Sequence, residues 1–170
     1  MIWGNYKMII SLLRIDDRLI HGQVATSWVK ATKCDAIFAV NDAVTNDTLR
    51  KTLLMQVAPP DIKTFIISVE KAIAVYHNPK YADTRVLMLV TNPADIVRLV
   101  DGGVKIETVN VGGMTFKEGN KLISSAVAIG HEDLSAFKKL RDLGVELEIR
   151  KLASHPKEDL APKLDGFVID

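Results

Sequence analysis

At 170 residues the chain is long enough to bury roughly two thirds of its unfolded surface in one core, and 48% apolar with 25% charged residues is an ordinary globular balance. Lys and Arg number 22 against 21 Asp and Glu, so the formal charge is +1 and no broad basic field draws the chain to nucleic acid or an anionic membrane. A single cysteine, Cys34, excludes an intrachain disulfide and a cysteine-rich metal site; it reads as a small buried side chain.

The opening residues Met1-Ile-Trp-Gly-Asn-Tyr-Lys7 carry neither a signal core nor a cleavage pattern. They read as an upstream start or extension, and residues 8–170 as a single domain. Every apolar run is too short to span a bilayer, so a cytoplasmic protein is expected. Residues 8–13 read as a strand, and 19–31 as a helix with Ile20, Val24, Trp28 and Ala31 on one face. A second strand at 36–40 precedes a helix over 45–57, where Leu49, Leu53 and Val57 recur every fourth residue and Pro59-Pro60 stops the pattern. The third strand is 64–69, followed by a short helix ending near His77-Asn-Pro79, and the fourth is 86–90.

The next helix is punctuated by Asn92 as cap, Pro93 in its first turn and Gly102 at its C′ position. Strand five, 108–111, runs into Gly112-Gly113, a pair that reads as a tight turn or as lining for a crevice. A helix over 132–143 has Glu132 and Asp133 at its start, Lys138, Lys139 and Arg141 toward its end and Gly144 to close it, an order that suits the helix dipole. Residues 145–149 form a last strand, and the tail from His155 reads as a loop and short helix on the outside. This alternation predicts an α/β fold: an open, twisted, mostly parallel sheet of about seven strands with helices on both faces. The run 122–129 breaks the rhythm. Too few residues separate it from Gly113 for a parallel crossover, so it is either an antiparallel strand or outside the sheet.

Ligands of such sheets bind beyond the carboxyl ends of the strands. The segment after the first strand reads Arg14-Ile-Asp-Asp-Arg-Leu-Ile-His-Gly-Gln-Val24. Neutral imidazole is available at cytoplasmic pH, so a ring nitrogen of His21 can attack phosphorus. Arg14 and Arg18 can donate forked hydrogen bonds to phosphoryl oxygens, or pair with Asp16 and Asp17; a carboxylate can equally orient an arginine or the imidazole. Gly22 and Gln23 supply backbone N–H groups to an anion if the helix begins near His21, but not if Asp17 caps it. Ser68, at the end of strand three, is a weaker hydroxyl candidate. His77, His131 and His155 show no metal-ligand spacing, and neither a dinucleotide fingerprint nor a Walker motif is present, so no metal or cofactor is expected.

The segment from Arg14 to Val24 closely resembles the phosphorylation loop of IIB components of the mannose/fructose/sorbose class of bacterial phosphoenolpyruvate-dependent sugar phosphotransferase systems. Asn41-Asp42, Asn110-Val-Gly-Gly-Met114, Glu132-Asp133 and the later Leu140-x-x-x-Gly144 extend the likeness, which covers nearly everything from Met8 to about Asp159. The resemblance implies a phosphotransferase that accepts a phosphoryl group from a phospho-IIA protein on His21, at its tele or pros nitrogen. It then passes the group to a sugar held by membrane components IIC and IID, beside which the chain would sit in the cytoplasm. Arg14 and Arg18 match arginines of the family's active loop, IIA would be a separate protein, and a homodimer stays open. The resemblance leaves the sugar undecided. Two other readings compete: a receiver-like signalling module, which needs an aspartate at the end of strand three where the chain has Ile66-Ile-Ser-Val-Glu70, and a small-ligand domain whose arginines hold a carboxylate or sugar phosphate.

Overall fold

The computed structural model describes residues 7–170, apart from the side chains of Gln23 and Val24. The expected extension at residues 1–7 therefore lies outside the described residues but for Lys7. The elements run β1 (Ile9–Asp16), α1 (Gly22–Thr32), β2 (Ala36–Val40), α2 (Asp42–Thr45), α3 (Thr48–Val57), β3 (Lys63–Ile67), α4 (Val69–His77), β4 (Arg85–Val90), α5 (Pro93–Asp101), β5 (Thr108–Gly113), β6 (Lys121–Ser124), β7 (Val127–Ile129), α6 (His131–Asp142), β8 (Glu146–Ile149), β9 (Glu158–Asp159) and α7 (Ala161–Leu164). Seven strands form one sheet in the order β3-β2-β4-β1-β5-β8-β9, parallel throughout except for β9 against β8.

Alternate residues of the inner strands enter opposite layers, because side chains in a strand repeat every two residues. Ile37, Ala39, Leu87 and Leu89 lie with Trp28 of α1, Val44 of α2 and Leu54 of α3. Phe38, Val40, Val86, Met88 and Val90 lie with α4, α5 and α6, through residues such as Ala72, Leu99 and Phe137. Both faces of the central strands are thus dry, which is why they read as continuous apolar runs. The helix after β1 covers one face, whereas those after β4 and β5, the strands flanking β1, cover the other. A crevice therefore opens at the carboxyl end of β1, as expected for a doubly wound sheet.

The run 122–129 takes one of its two expected alternatives, and three other elements differ from the sequence expectation. The run 122–129 is a hairpin, β6–β7, outside the main sheet, and the antiparallel strand of that sheet is β9, in the tail expected to be only loop and helix. The helix expected over 45–57 begins only at Thr48, since Thr45 ends the short α2 and the Asp47 carboxylate accepts the Arg50 N–H and starts α3 afresh. The stripe Leu49, Leu53, Val57 faces solvent, with Leu49 70% exposed, and Leu54 is the residue α3 sends inward. The left-handed residue after α5 is Gly103, at φ +86°, rather than Gly102. Among the described residues no helix is long and apolar enough to cross a membrane.

Candidate functional site

β1 ends by alternating Leu13 and Ile15, which enter the core, with Arg14 and Asp16, which face α1. The chain then turns sharply: the Leu19 N–H donates to the Asp16 carbonyl (2.8 Å), and Leu19 takes the left-handed conformation at φ +57°. A non-glycine residue there costs roughly 1–2 kcal/mol, offset by burial of the Leu19 side chain. Strain of this kind collects where a loop must present a side chain.

His21 is the residue before α1, with extended backbone at φ −154°, and its side chain makes no cap bond. Helix α1 therefore starts at Gly22 and not at Asp17, and the N–H groups of its first turn, those of Gly22 and Gln23 among them, have no acceptor within the helix. Gly22 holds φ +43°, and a Cβ there would meet nothing, so backbone conformation rather than space favours glycine. The imidazole Nε2 lies 2.7 Å from Asp16 Oδ2, and the ring is 21% exposed. An ionised carboxylate only accepts hydrogen bonds, so Nε2 is the donor, and in the neutral ring the lone pair lies on Nδ1.

Asp16 is the hub. Its Oδ1 accepts the Arg18 N–H (3.1 Å) and lies 3.7 Å from Arg18 Nε, while its Oδ2 also accepts from Arg14 Nη2 (3.4 Å). Arg18 is 60% exposed, so its guanidinium, with Nε toward Asp16, stays open to solvent. Of the two roles the sequence left open for it, Arg14 takes the pairing with Asp16. It is 1% exposed, and Nη1 donates to Asn110 Oδ1 (2.6 Å) and the Arg150 carbonyl (2.9 Å), so it supports Asp16 from beneath instead of gripping an incoming group. Burial lowers its pKa, against the opposing charge of Asp16; guanidinium stays protonated in proteins, so its demand for acceptors is permanent.

Asp17 turns away from the imidazole and accepts from the N–H (2.6 Å) and hydroxyl (3.0 Å) of Thr115, tying the loop to the segment after β5. Ser68 does not join the site: β3 is the sheet edge, three strands from β1 at about 4.8 Å each, and the hydroxyl caps α4 by accepting the Lys71 N–H. The backbone of Gln23 is described, but its side chain is not. Gly112 and Gly113 end β5 rather than make a turn.

The sequence reading missed the bed beneath the loop. Asn110 Nδ2 donates to Glu148 Oε1 (3.2 Å), which also accepts from Arg150 Nη2 (3.3 Å). The Trp28 ring meets both guanidinium groups, Arg14 at 5.3 Å and Arg150 at 5.0 Å, and its indole N–H donates to the Lys151 carbonyl (3.0 Å). The signal was present as Leu-Arg-Ile-Asp (13–16), Val-Asn-Val-Gly (109–112) and Leu-Glu-Ile-Arg (147–150), three strands with the same apolar-polar alternation. Gly112 belongs to this bed because a Cβ there would lie 2.0 Å from Arg14 Cζ. Gly112→Ala should therefore push Arg14 off its acceptors and destabilise the fold by about 3–5 kcal/mol, read as a lower urea midpoint; an unchanged midpoint would mean that Arg14 has room to move.

The model of the family described as "PTS system sorbose subfamily IIB component" matches residues 10–166. The chain is 54% identical over 164 residues to the PTS system mannose-specific EIIAB component of Escherichia coli (strain K12), covering 95% of this chain and 51% of that protein. It thus spans about half the length of the mannose-specific relatives it matches. It is 50% identical over 158 residues to the PTS system sorbose-specific EIIB component of Lacticaseibacillus casei, covering 93% of this chain and 96% of that one. The crystal structure of the IIBSor domain of the sorbose permease from Klebsiella pneumoniae superposes with a TM-score of 0.91 at 47% identity, over 95% of this chain and 99% of that one. A chain that carries His21 on this turn of this sheet, matched over nearly its whole length, belongs to the sorbose-subfamily IIB components of the sugar phosphotransferase system.

Proposed function

We propose that His21 is the phosphoryl carrier of this chain, accepting the group at Nδ1 from a phosphohistidine on a IIA partner and passing it to a sugar hydroxyl held by membrane components IIC and IID. The observation that carries this reading is the 2.7 Å bond between His21 Nε2 and Asp16 at the uncapped start of α1. With Nε2 committed to the carboxylate, Nδ1 is the nucleophilic nitrogen. As it approaches, the donor P–N bond breaks and charge spreads over three equatorial oxygens. Those oxygens find the Arg18 guanidinium and the N–H groups of Gly22 and Gln23, all fixed before the reaction begins. In the second transfer the sugar oxygen bonds to phosphorus as the P–Nδ1 bond breaks; Nδ1 recovers its lone pair and the hydroxyl proton leaves to solvent.

On this reading residues 8–170 act as one IIB unit at the cytoplasmic face of a permease, and sugar choice rests with the membrane partners. The relatives named for mannose, sorbose, fructose and N-acetylgalactosamine fit a hexose or amino-sugar acceptor. The test is incubation with phosphorylated IIA of the mannose class. An acid-labile, base-stable phosphate, assigned by 31P and 15N NMR to Nδ1 of His21, is the expected product, and an unlabelled chain would overturn the proposal.

Arg18 is assigned to the transferring group itself, so Arg18→Ala should slow transfer roughly 10²-fold. Unfolding free energy should stay within about 0.5 kcal/mol, because the side chain is mostly exposed. Stopped-flow transfer rates and a thermal melt measure the two effects separately; an equal loss in both would reassign Arg18 to the fold.

A further inference from the structure

The bed beneath His21 contains one carboxylate that the transfer chemistry does not use. Glu148 is 3% exposed on β8, in register with Asn110 of β5, which is itself in register with Arg14 of β1. Three neighbouring strands thus set Arg14, Asn110 and Glu148 side by side on the face covered by Trp28.

The orientation of the Asn110 amide is determined by its neighbours. Its oxygen accepts from Arg14 Nη1 and its nitrogen donates to Glu148 Oε1; a flipped amide would put donor against donor on one side and acceptor against acceptor on the other. The charges balance in the same way. Arg14 and Arg150 share the Trp28 ring, and Asp16 and Glu148 are the carboxylates that face them. With Glu148 holding Arg150 at 3.3 Å, Asp16 Oδ2 needs to serve only Arg14, weakly at 3.4 Å, and His21, strongly at 2.7 Å. Lys157 Nζ, 3.7 Å from Glu148 Oε2, is the exposed outer end of the series.

We propose that Glu148 is a positioning residue for phosphoryl transfer: by holding Asn110 and Arg150 it leaves Asp16 available to fix the His21 tautomer with the proton on Nε2 and the lone pair on Nδ1. Neutralising Glu148 leaves Asp16 as the one remaining counter-ion of two guanidinium groups in a low-dielectric bed. A carboxylate engaged more tightly by arginine accepts less well from imidazole. The ring then populates both tautomers, and part of the protein presents the wrong nitrogen. The proposal rests on His21 being the acceptor, as argued above.

The test uses the full chain, Glu148→Gln, Lys157→Ala, and potassium phosphoramidate as a small phosphoryl donor. In the wild type, ring 15N shifts should report predominantly the Nε2–H tautomer, and phosphate should appear at Nδ1. Glu148→Gln should show averaged ring shifts, Nε2-phosphohistidine beside the Nδ1 form, and labelling about tenfold slower. Lys157→Ala removes a solvent-exposed side chain that reaches Glu148 only at its outer oxygen and otherwise pairs with Glu146, and should retain the wild-type ring shifts. It serves as the folded comparison if Glu148→Gln is too unstable to study, and averaged ring shifts in it would place tautomer control on the outer ion pair rather than on Asn110 and Arg150 and overturn the proposal. Wild-type ring shifts and rate in a folded Glu148→Gln, even with a lower melting temperature, would overturn the proposal and leave Glu148 a purely structural residue. A wild-type chain with no phosphate on His21 would instead defeat the reading beneath it.

Discussion

His21→Ala should abolish labelling by phosphorylated IIA entirely, while shifting the unfolding free energy by no more than about 1 kcal/mol. The side chain is partly exposed and caps nothing, so the fold loses one hydrogen bond to a carboxylate that keeps Arg14 and the Arg18 N–H. Loss of label with an intact melt is the signature of a carrier residue. Radiolabel transfer and a urea titration of the same preparation decide it, and label persisting on another residue would remove His21 from the pathway.

Asp16→Asn should be nearly as severe for a different reason. The substitution preserves shape but replaces a pure acceptor by a group whose nitrogen must face either the Arg18 N–H, in the place of Oδ1, or Arg14 and His21 together, in the place of Oδ2, all of which donate. Transfer should fall by about 10²–10⁴-fold, the range that a displaced acid–base partner commonly costs. Stability should fall by on the order of 3–5 kcal/mol, because the buried Arg14 guanidinium loses its carboxylate. Single-turnover transfer and chemical unfolding measure the pair, and an Asp16→Asn chain as fast as wild type would show that tautomer control resides elsewhere.

Fold and site were unequally legible in the sequence. Strands β2 and β4 are visible because both their faces are dry, and the loop from Arg14 to Gln23 is visible because imidazole, guanidinium and glycine crowd into one turn. Which way Arg14 points is set by register: it lies opposite Asn110, and nothing local to the loop reveals that pairing. Ser68 looked close because it also ends a strand, yet strand order, not strand end, decides proximity. The α3 stripe has a helical period without a core to face, since periodicity reports an apolar ridge and not its neighbour. The tail strand β9 is too short and too charged to read as a strand. Backbone pairing with β8 makes it one.

The bonds that seat Arg14 reach across 96 residues to Asn110 and 136 residues to the Arg150 carbonyl. During synthesis the loop bearing His21 leaves the ribosome long before β8 exists, and contacts so distant in sequence form late. A nascent chain therefore carries an imidazole whose proton is not yet assigned to either nitrogen. On the proposed function, competence to receive phosphate arrives only when β8 and Arg150 dock, so a molecule in which that strand is unformed or frayed is a poor acceptor.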